Sequence, residues 1–251
     1  MSDRYAIDGT KIQLHPERIA QWLKDPAKTF PIYVEISPAG HCNHRCTFCA
    51  VDYIGYKTKL IDRDVLERTL LNMAINGVKS VMFAGEGEPL LHPELSRIIN
   101  EAKRYGLDIA ITTNGVALTK RFVDECLHNV TWIKVSMNGG EKSYAQVHKA
   151  GEKDYERVWS NLQHAVAHRH KDTAIGIQAV LLPENAEEME SLAIRARDTG
   201  LNYFVVKPYS QHLASNTHQY QDIKYSGYQD LLADIEKETV NFVPNYDNTR
   251  K

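Results

Sequence analysis

Three cysteines, Cys42, Cys46 and Cys49, fall within eight positions of the segment His-Cys-Asn-His-Arg-Cys-Thr-Phe-Cys-Ala, spaced C-x3-C-x2-C. Thiolates this close in sequence can turn toward one metal centre. Their softness selects iron–sulfur clusters, zinc or copper(I). Three is one too few for a four-thiolate cluster. An iron left open at one corner can bind a small molecule directly, so the segment is a candidate site for chemistry and not only a structural staple. A structural zinc needs a fourth ligand, and His41 or His44 is near enough in sequence to supply it. A zinc-stabilised binding module on Cys42, Cys46, Cys49 and a histidine therefore stands beside the iron–sulfur reading, as does a non-catalytic iron–sulfur scaffold.

The remaining cysteine, Cys126, lies alone in a helical pattern and reads as a small buried apolar residue. A disulfide framework would spread paired cysteines along the chain; metal-bound thiolates in a reducing compartment fit better. The 251 residues suit one large α/β domain. No apolar run approaches the ~18 residues that span a bilayer. The first thirty residues are polar and charged, unlike a secretory signal. The expectation is a cytoplasmic protein. A net charge of −2, from 30 basic and 32 acidic side chains, gives no electrostatic reason for a membrane-surface or nucleic-acid partner.

The cysteines must be positioned by the elements around them. Short β-branched runs occur at about 32–37, 80–83, 108–112, 132–136, 174–181 and 203–206, with amphipathic helical stretches near 62–76, 94–105, 119–128, 154–169 and 186–198. Strands alternating with helices mean repeated βαβ units and a parallel sheet. The cysteine loop follows the first strand, and binding sites in such folds lie at the carboxyl ends of strands. Within strands, Ile32, Val34 and Ile36 oppose Tyr33, Glu35 and Ser37; Ile133 and Val135 oppose Lys134, Ser136 and Asn138; Ile175, Ile177 and Ala179 oppose Gly176, Gln178 and Val180. One polar face per strand reads as a barrel lumen that holds a polar ligand. Residues 1–30 form a front extension with a short helix near 15–24. Residues 31–208 form the core, and 209–251 a Tyr-rich tail with a helix near 226–238 and a polar, uncapped ending that is compatible with truncation.

The cysteine spacing, placed after the first strand of a repeated βα chain, resembles the signature of the radical S-adenosylmethionine (SAM) superfamily. Its companions strengthen the likeness. The second strand ends in Ala84-Gly85-Glu86-Gly87-Glu88-Pro89, similar to the family's "GGEP" element except for Glu86. The third ends in Thr112-Thr113-Asn114-Gly115, like its "TNG" turn, and the fourth in Val135-Ser136-Met137-Asn138, where Asn138 replaces the usual acid. Residues 178–185, beginning Gln178-Ala179-Val180, resemble the segment lining the adenine side. The likeness covers about residues 30–207 and implies a partial TIM-type (β/α)6 barrel.

That resemblance implies a [4Fe–4S] cluster on Cys42, Cys46 and Cys49, with the amino and carboxylate groups of SAM on the fourth iron. It implies that Phe48 packs on the adenine, that Gly85, Gly87, Glu88 and Pro89 surround the SAM ammonium, with the backbone free for close approach by the ligand, and that Asn114, Ser136, Gln178 and Val180 line the cofactor site. Reductive cleavage would give methionine and a 5′-deoxyadenosyl radical that abstracts hydrogen from a substrate, with flavodoxin or ferredoxin as low-potential donor. Glu35, Lys207, Tyr209 and His212 are the substrate candidates; a lysine at a strand end suits a carboxylate or phosphate. No second cysteine cluster follows the sixth strand; the resemblance implies that the auxiliary iron–sulfur domain common in peptide-maturing and some sugar-modifying members is missing, in a cluster-minimal enzyme or a truncated chain, and a small molecule such as a sugar or nucleoside is the expected substrate ahead of a peptide.

Overall fold

The computed structural model describes residues 9–238. Six strands, β1 (Tyr33–Ile36), β2 (Ser80–Phe83), β3 (Asp108–Thr113), β4 (Trp132–Ser136), β5 (Ala174–Leu181) and β6 (Tyr203–Pro208), pair in chain order and all in parallel. The sheet is not closed: β1 and β6 are its two edges. The architecture is the expected α/β partial barrel. Its helices are α1 (Pro16–Lys24), α2 (Arg63–Ile75), α3 (Leu95–Arg104), α4 (Lys120–Cys126), α5 (Tyr144–His148), α6 (Asp154–His168), α7 (Met189–Asp198) and α8 (Gln229–Glu238). The polar run at the C-terminus lies outside the described residues. No helix among the described residues is long and apolar enough to cross a membrane.

Local signals account for most boundaries. Asp62 caps α2, its carboxylate accepting from the backbone N–H groups of Asp64 and Val65 at 2.9 and 3.1 Å. The helix expected over 119–128 divides into α4 and a 3-10 turn, Leu127–Asn129, which bends the chain into β4. The five-residue α5 was not expected, because so short an element carries no readable period.

The two faces of the sheet have separate tasks. Val81, Phe83, Ile109, Ile111, Ile133, Val135, Ile175 and Ile177 point outward and pack with Leu70, Ile98, Trp159 and Leu192 of the helices, all almost fully buried. Cys126 lies in the same core, as expected. The inner face is built in rows by the parallel register. Glu35, Met82, Ala110, Trp132 and Ala174 are in register across five strands. Thr112, Lys134, Gly176 and Tyr203 follow, then Ser136, Gln178 and Val205, then Val180 and Lys207. Met82, Ala84 and Ala110 cluster against Trp132, as do Ala174, Tyr203 and Val205. The lumen therefore has an apolar floor and a polar upper wall.

Lys134 sits just above that floor, its Nζ 5.7 Å from the centre of the Trp132 ring. Burial first, and the charge of Lys207 second, push its pKa down to about 8 against the opposite pull of Glu35. Above the free value of 10.5 both states are neutral at this site. As pH falls from there to about 8, the unfolded chain takes up the proton first and stability declines; below about 8 the full cost is present. Lys134→Met is thus expected to raise stability at neutral pH by on the order of 1–3 kcal/mol. The gain should shrink across that alkaline window in urea denaturation curves. On the outer face, Ile177→Ala should cost about 2–5 kcal/mol. Ile75→Ala, at a side chain 75% exposed, should change stability by no more than ~0.5 kcal/mol.

Candidate active site

The chain leaving β1 turns at once into the cysteine loop, and the end of β2 braces it. Gly85 has φ +122°, and a Cβ there would lie 2.3 Å from the Ser37 side chain. A Cβ on Gly87 would lie 2.3 Å from both the Ala39 and His41 carbonyl oxygens. The two glycines are thus required by close approach of the cysteine loop itself. The Glu88 backbone N–H donates to the His41 carbonyl at 2.8 Å, and Ala39 bridges Leu60 to close the base of the loop.

Two of the three sulfurs receive a donor. Cys42 Sγ accepts from the His44 backbone N–H at 3.4 Å and from Asn114 Nδ2 at 3.8 Å. Burial first, and the neighbouring Cys49 second, raise the pKa of Tyr56, whose ring carries the Arg45 guanidinium at 4.1 Å. Cys46 Sγ lies 3.4 Å from His148 Nδ1. The opposite ring nitrogen, Nε2, accepts the Asn138 backbone N–H at 3.0 Å. In the neutral ring, which burial favours, the proton is therefore on Nδ1 and directed at the sulfur. His44, Cys46 and His148 each bring a potential ligand atom within 4.8 Å of one another. The hydrogen bonding makes that group a donor–sulfur arrangement, with the lone pair of His148 already engaged.

This donor set fits anionic sulfur. Burial raises the Cys42 and Cys46 thiols; for Cys46 the neighbouring sulfurs of Cys42 and Cys49 add to the effect. Three thiolates share such a loop only when the positive charge of a metal centre balances them. All three cysteines are free of disulfides.

Glu88 is 2% exposed. Its Oε1 accepts from Thr113 Oγ1 at 2.6 Å and from the Leu90 N–H at 3.0 Å; its Oε2 accepts from the Asn114 N–H at 2.7 Å. Three protein donors occupy most of its acceptor capacity, leaving one lone pair on Oε2. Its first task is to lock the β2 turn onto the end of β3. Pro89 is buried and opens the short turn that Glu88 caps. Asn114 extends the lock, donating from Nδ2 to Asn43 Oδ1 at 2.7 Å. Glu86 is exposed.

Phe48 and Val180 meet in one apolar cluster with Tyr209, beside the buried Val147, Leu182 and Tyr220. Ser136 and Gln178 are in register on the lumen wall, and the buried Gln178 Oε1 has no hydrogen-bond partner among the described residues. That orphaned acceptor fits a site awaiting a polar ligand. Glu35 accepts a hydrogen bond from Tyr33 at 2.7 Å, and its charge is felt at both Lys134 and Lys207. His212 is not brought to this wall: it is exposed and stacks on Tyr53 of the cysteine loop at 5.2 Å. Tyr225 fixes the tail, donating to the Leu181 carbonyl and accepting from the Tyr209 N–H. The tail then crosses the cysteine loop, where Tyr220 meets Thr47 at 2.8 Å and the Asn216 N–H donates to Asp52 at 2.9 Å.

Three residues were missed as site members. His148 sits on the unexpected α5. Asn185 donates to the Asn138 and Val180 carbonyls, fixing the ends of β4 and β5 together. Lys134 was placed on the polar face, but its lack of a partner was not visible.

The sequence profile of the radical SAM superfamily matches residues 36–196. A GTP 3′,8-cyclase of Chlorobaculum tepidum is 37% identical over 91 residues, 36% of this chain and 27% of the cyclase. A tungsten-containing aldehyde ferredoxin oxidoreductase cofactor-modifying protein of Pyrococcus furiosus is 25% identical over 205 residues, 80% of this chain and 56% of that protein. The chain thus spans less than two thirds of either relative. The crystal structure of Streptococcus suis SuiB bound to precursor peptide SuiA superposes with a TM-score of 0.73 at 18% identity, covering 98% of this chain and 57% of SuiB. None of these likenesses supports a zinc-stabilised module. The profile takes in the whole cysteine loop and every strand from β2 to β5. The chain belongs to the radical SAM superfamily, whose enzymes work with a [4Fe–4S] cluster and S-adenosylmethionine.

Proposed function

We propose that Cys42, Cys46 and Cys49 hold the [4Fe–4S] cluster and that the chain cleaves SAM reductively to begin hydrogen abstraction from a substrate in the lumen. The observation that carries this reading is the sulfur environment: three cysteines on one loop at the carboxyl end of β1, with Asn114 from the end of β3 donating to Cys42 and His148 from α5 donating to Cys46. Bound there and reduced, the cluster supplies the electron that splits SAM into methionine and a 5′-deoxyadenosyl radical.

The chain's own residues orient and enclose. Phe48 and Val180 form the apolar wall for the adenine, next to Tyr209. Gln178 and Ser136 would offer polar contacts from β5 and β4, and the remaining acceptor capacity of Glu88 would be available to the ammonium of SAM. Asn114 and Glu88 hold the loop so that the sulfurs keep their spacing. His148 donates to Cys46 and shifts charge density away from that sulfur. Trp132, Ala110 and Met82 below exclude water from the path of a reactive carbon radical. Reduction draws on a low-potential donor of the flavodoxin or ferredoxin type. The relative named GTP 3′,8-cyclase supports a small-molecule substrate, of the sugar or nucleoside kind, over a peptide.

Anaerobic reconstitution with iron and sulfide, followed by dithionite and SAM, tests the proposal. The expected result is four irons per chain, a brown chromophore and formation of 5′-deoxyadenosine. Cys46→Ala should lose all three; a wild-type chain that binds one colourless metal and leaves SAM intact would overturn the reading. His148→Phe should keep its iron yet show a more negative cluster midpoint potential in a redox titration followed by electron paramagnetic resonance, because a hydrogen bond that stabilises the reduced cluster is gone. An unchanged potential would remove His148 from this role.

A further inference from the structure

We propose that Lys134 and Lys207 together form an oxyanion-binding station in the lumen, which receives a carboxylate or phosphate of the substrate. It rests on the reading above only in placing the substrate inside the barrel. Both side chains lie on inward-facing positions, Lys134 in the row of Gly176 and Tyr203, Lys207 beside Val180. Neither ammonium has a hydrogen-bond or ion-pair partner among the described residues. Lys134 lies over the face of Trp132, a weak substitute for a counter-ion.

Glu35 is the one acid whose charge reaches both lysines, and it is engaged by the Tyr33 hydroxyl. Two cations against one acid leave a net positive charge in the lumen. Trp132 lies in the row beneath Lys134, and Tyr203 and Val205 line the wall of β6 between the levels of Lys134 and Lys207; the Tyr203 hydroxyl is turned away to donate to the Ile133 carbonyl at 2.9 Å. Two partly buried like charges without partners are costly to maintain. An oxyanion seated between them removes that cost, because each charge-assisted hydrogen bond is strong where water is scarce. Side chains from β4 and β6 reach it from different directions, so the station also sets how far the rest of the substrate stands from the sulfur loop at the mouth.

The test is titration of inorganic phosphate, and separately of acetate, into the reconstituted protein, followed by calorimetry. The wild type should bind at least one probe in the millimolar range. Tighter phosphate marks a phosphate ester as the substrate's group; equal or tighter acetate marks a carboxylate. Lys134→Met and Lys207→Met should each weaken binding about tenfold or more, and Glu35→Gln, which removes the opposing charge, should tighten it severalfold. Failure of the wild type to bind either probe, or lysine variants that bind as well as the wild type, overturns the station. A protein that binds phosphate through these lysines but releases no 5′-deoxyadenosine from SAM would sink the SAM reading and leave the station standing.

Discussion

The buried Glu88 carboxylate is the tie on which the site depends. It sits at the turn after β2 and accepts from Thr113 and Asn114 at the end of β3, while its own backbone N–H reaches the cysteine loop at His41. Three consecutive strand ends are thereby fixed to one another through a single residue, its carboxylate on one side and its backbone N–H on the other. Burial raises the Glu88 pKa, and the donors on its oxygens pull it back. A carboxylate removed from water in this way is tolerated only with its acceptors filled. Loosening it would release Asn114, and with it the contacts to Asn43 and Cys42.

A second tie lies across the barrel. Asn138 at the end of β4 gives its N–H to His148, accepts the Val180 N–H at 2.7 Å and has its carbonyl held by Asn185. The position where the family often carries an acid is filled here by a residue that both donates and accepts inside the protein. The sulfur of Cys46 thus senses, through His148, how β4 and β5 are joined. The two ties meet at the cysteine loop from opposite sides, Asn114 at Cys42 and His148 at Cys46.

What could be read from the chain in advance was what depends on near neighbours. Alternation within β1, β4 and β5 identified the inner face, and Asp62 marked the start of α2, because strand period and helix capping are local. The cysteine spacing and the Glu88 turn were legible for the same reason. His148 was not, since it meets Cys46 across 102 positions and stands on a helix of five residues. Gly85 and Gly87 were visible as glycines, but what presses against them was not; that it is the cysteine loop follows from packing between elements distant in sequence. Lys134 was assigned its face correctly, yet whether a lysine has a counter-ion depends on every strand around it.

The tail that crosses the cysteine loop has a consequence for the order of events in the life of the chain. Tyr220, Ser215 and Asn216 hold the loop by a few hydrogen bonds to Thr47, Cys49 and Asp52, and they lie C-terminal to everything they cover. During synthesis the sulfurs emerge long before their cover does. The loop is therefore without this cover until the tail has been made. The contacts that hold the cover are separate from the strand ladder that builds the barrel.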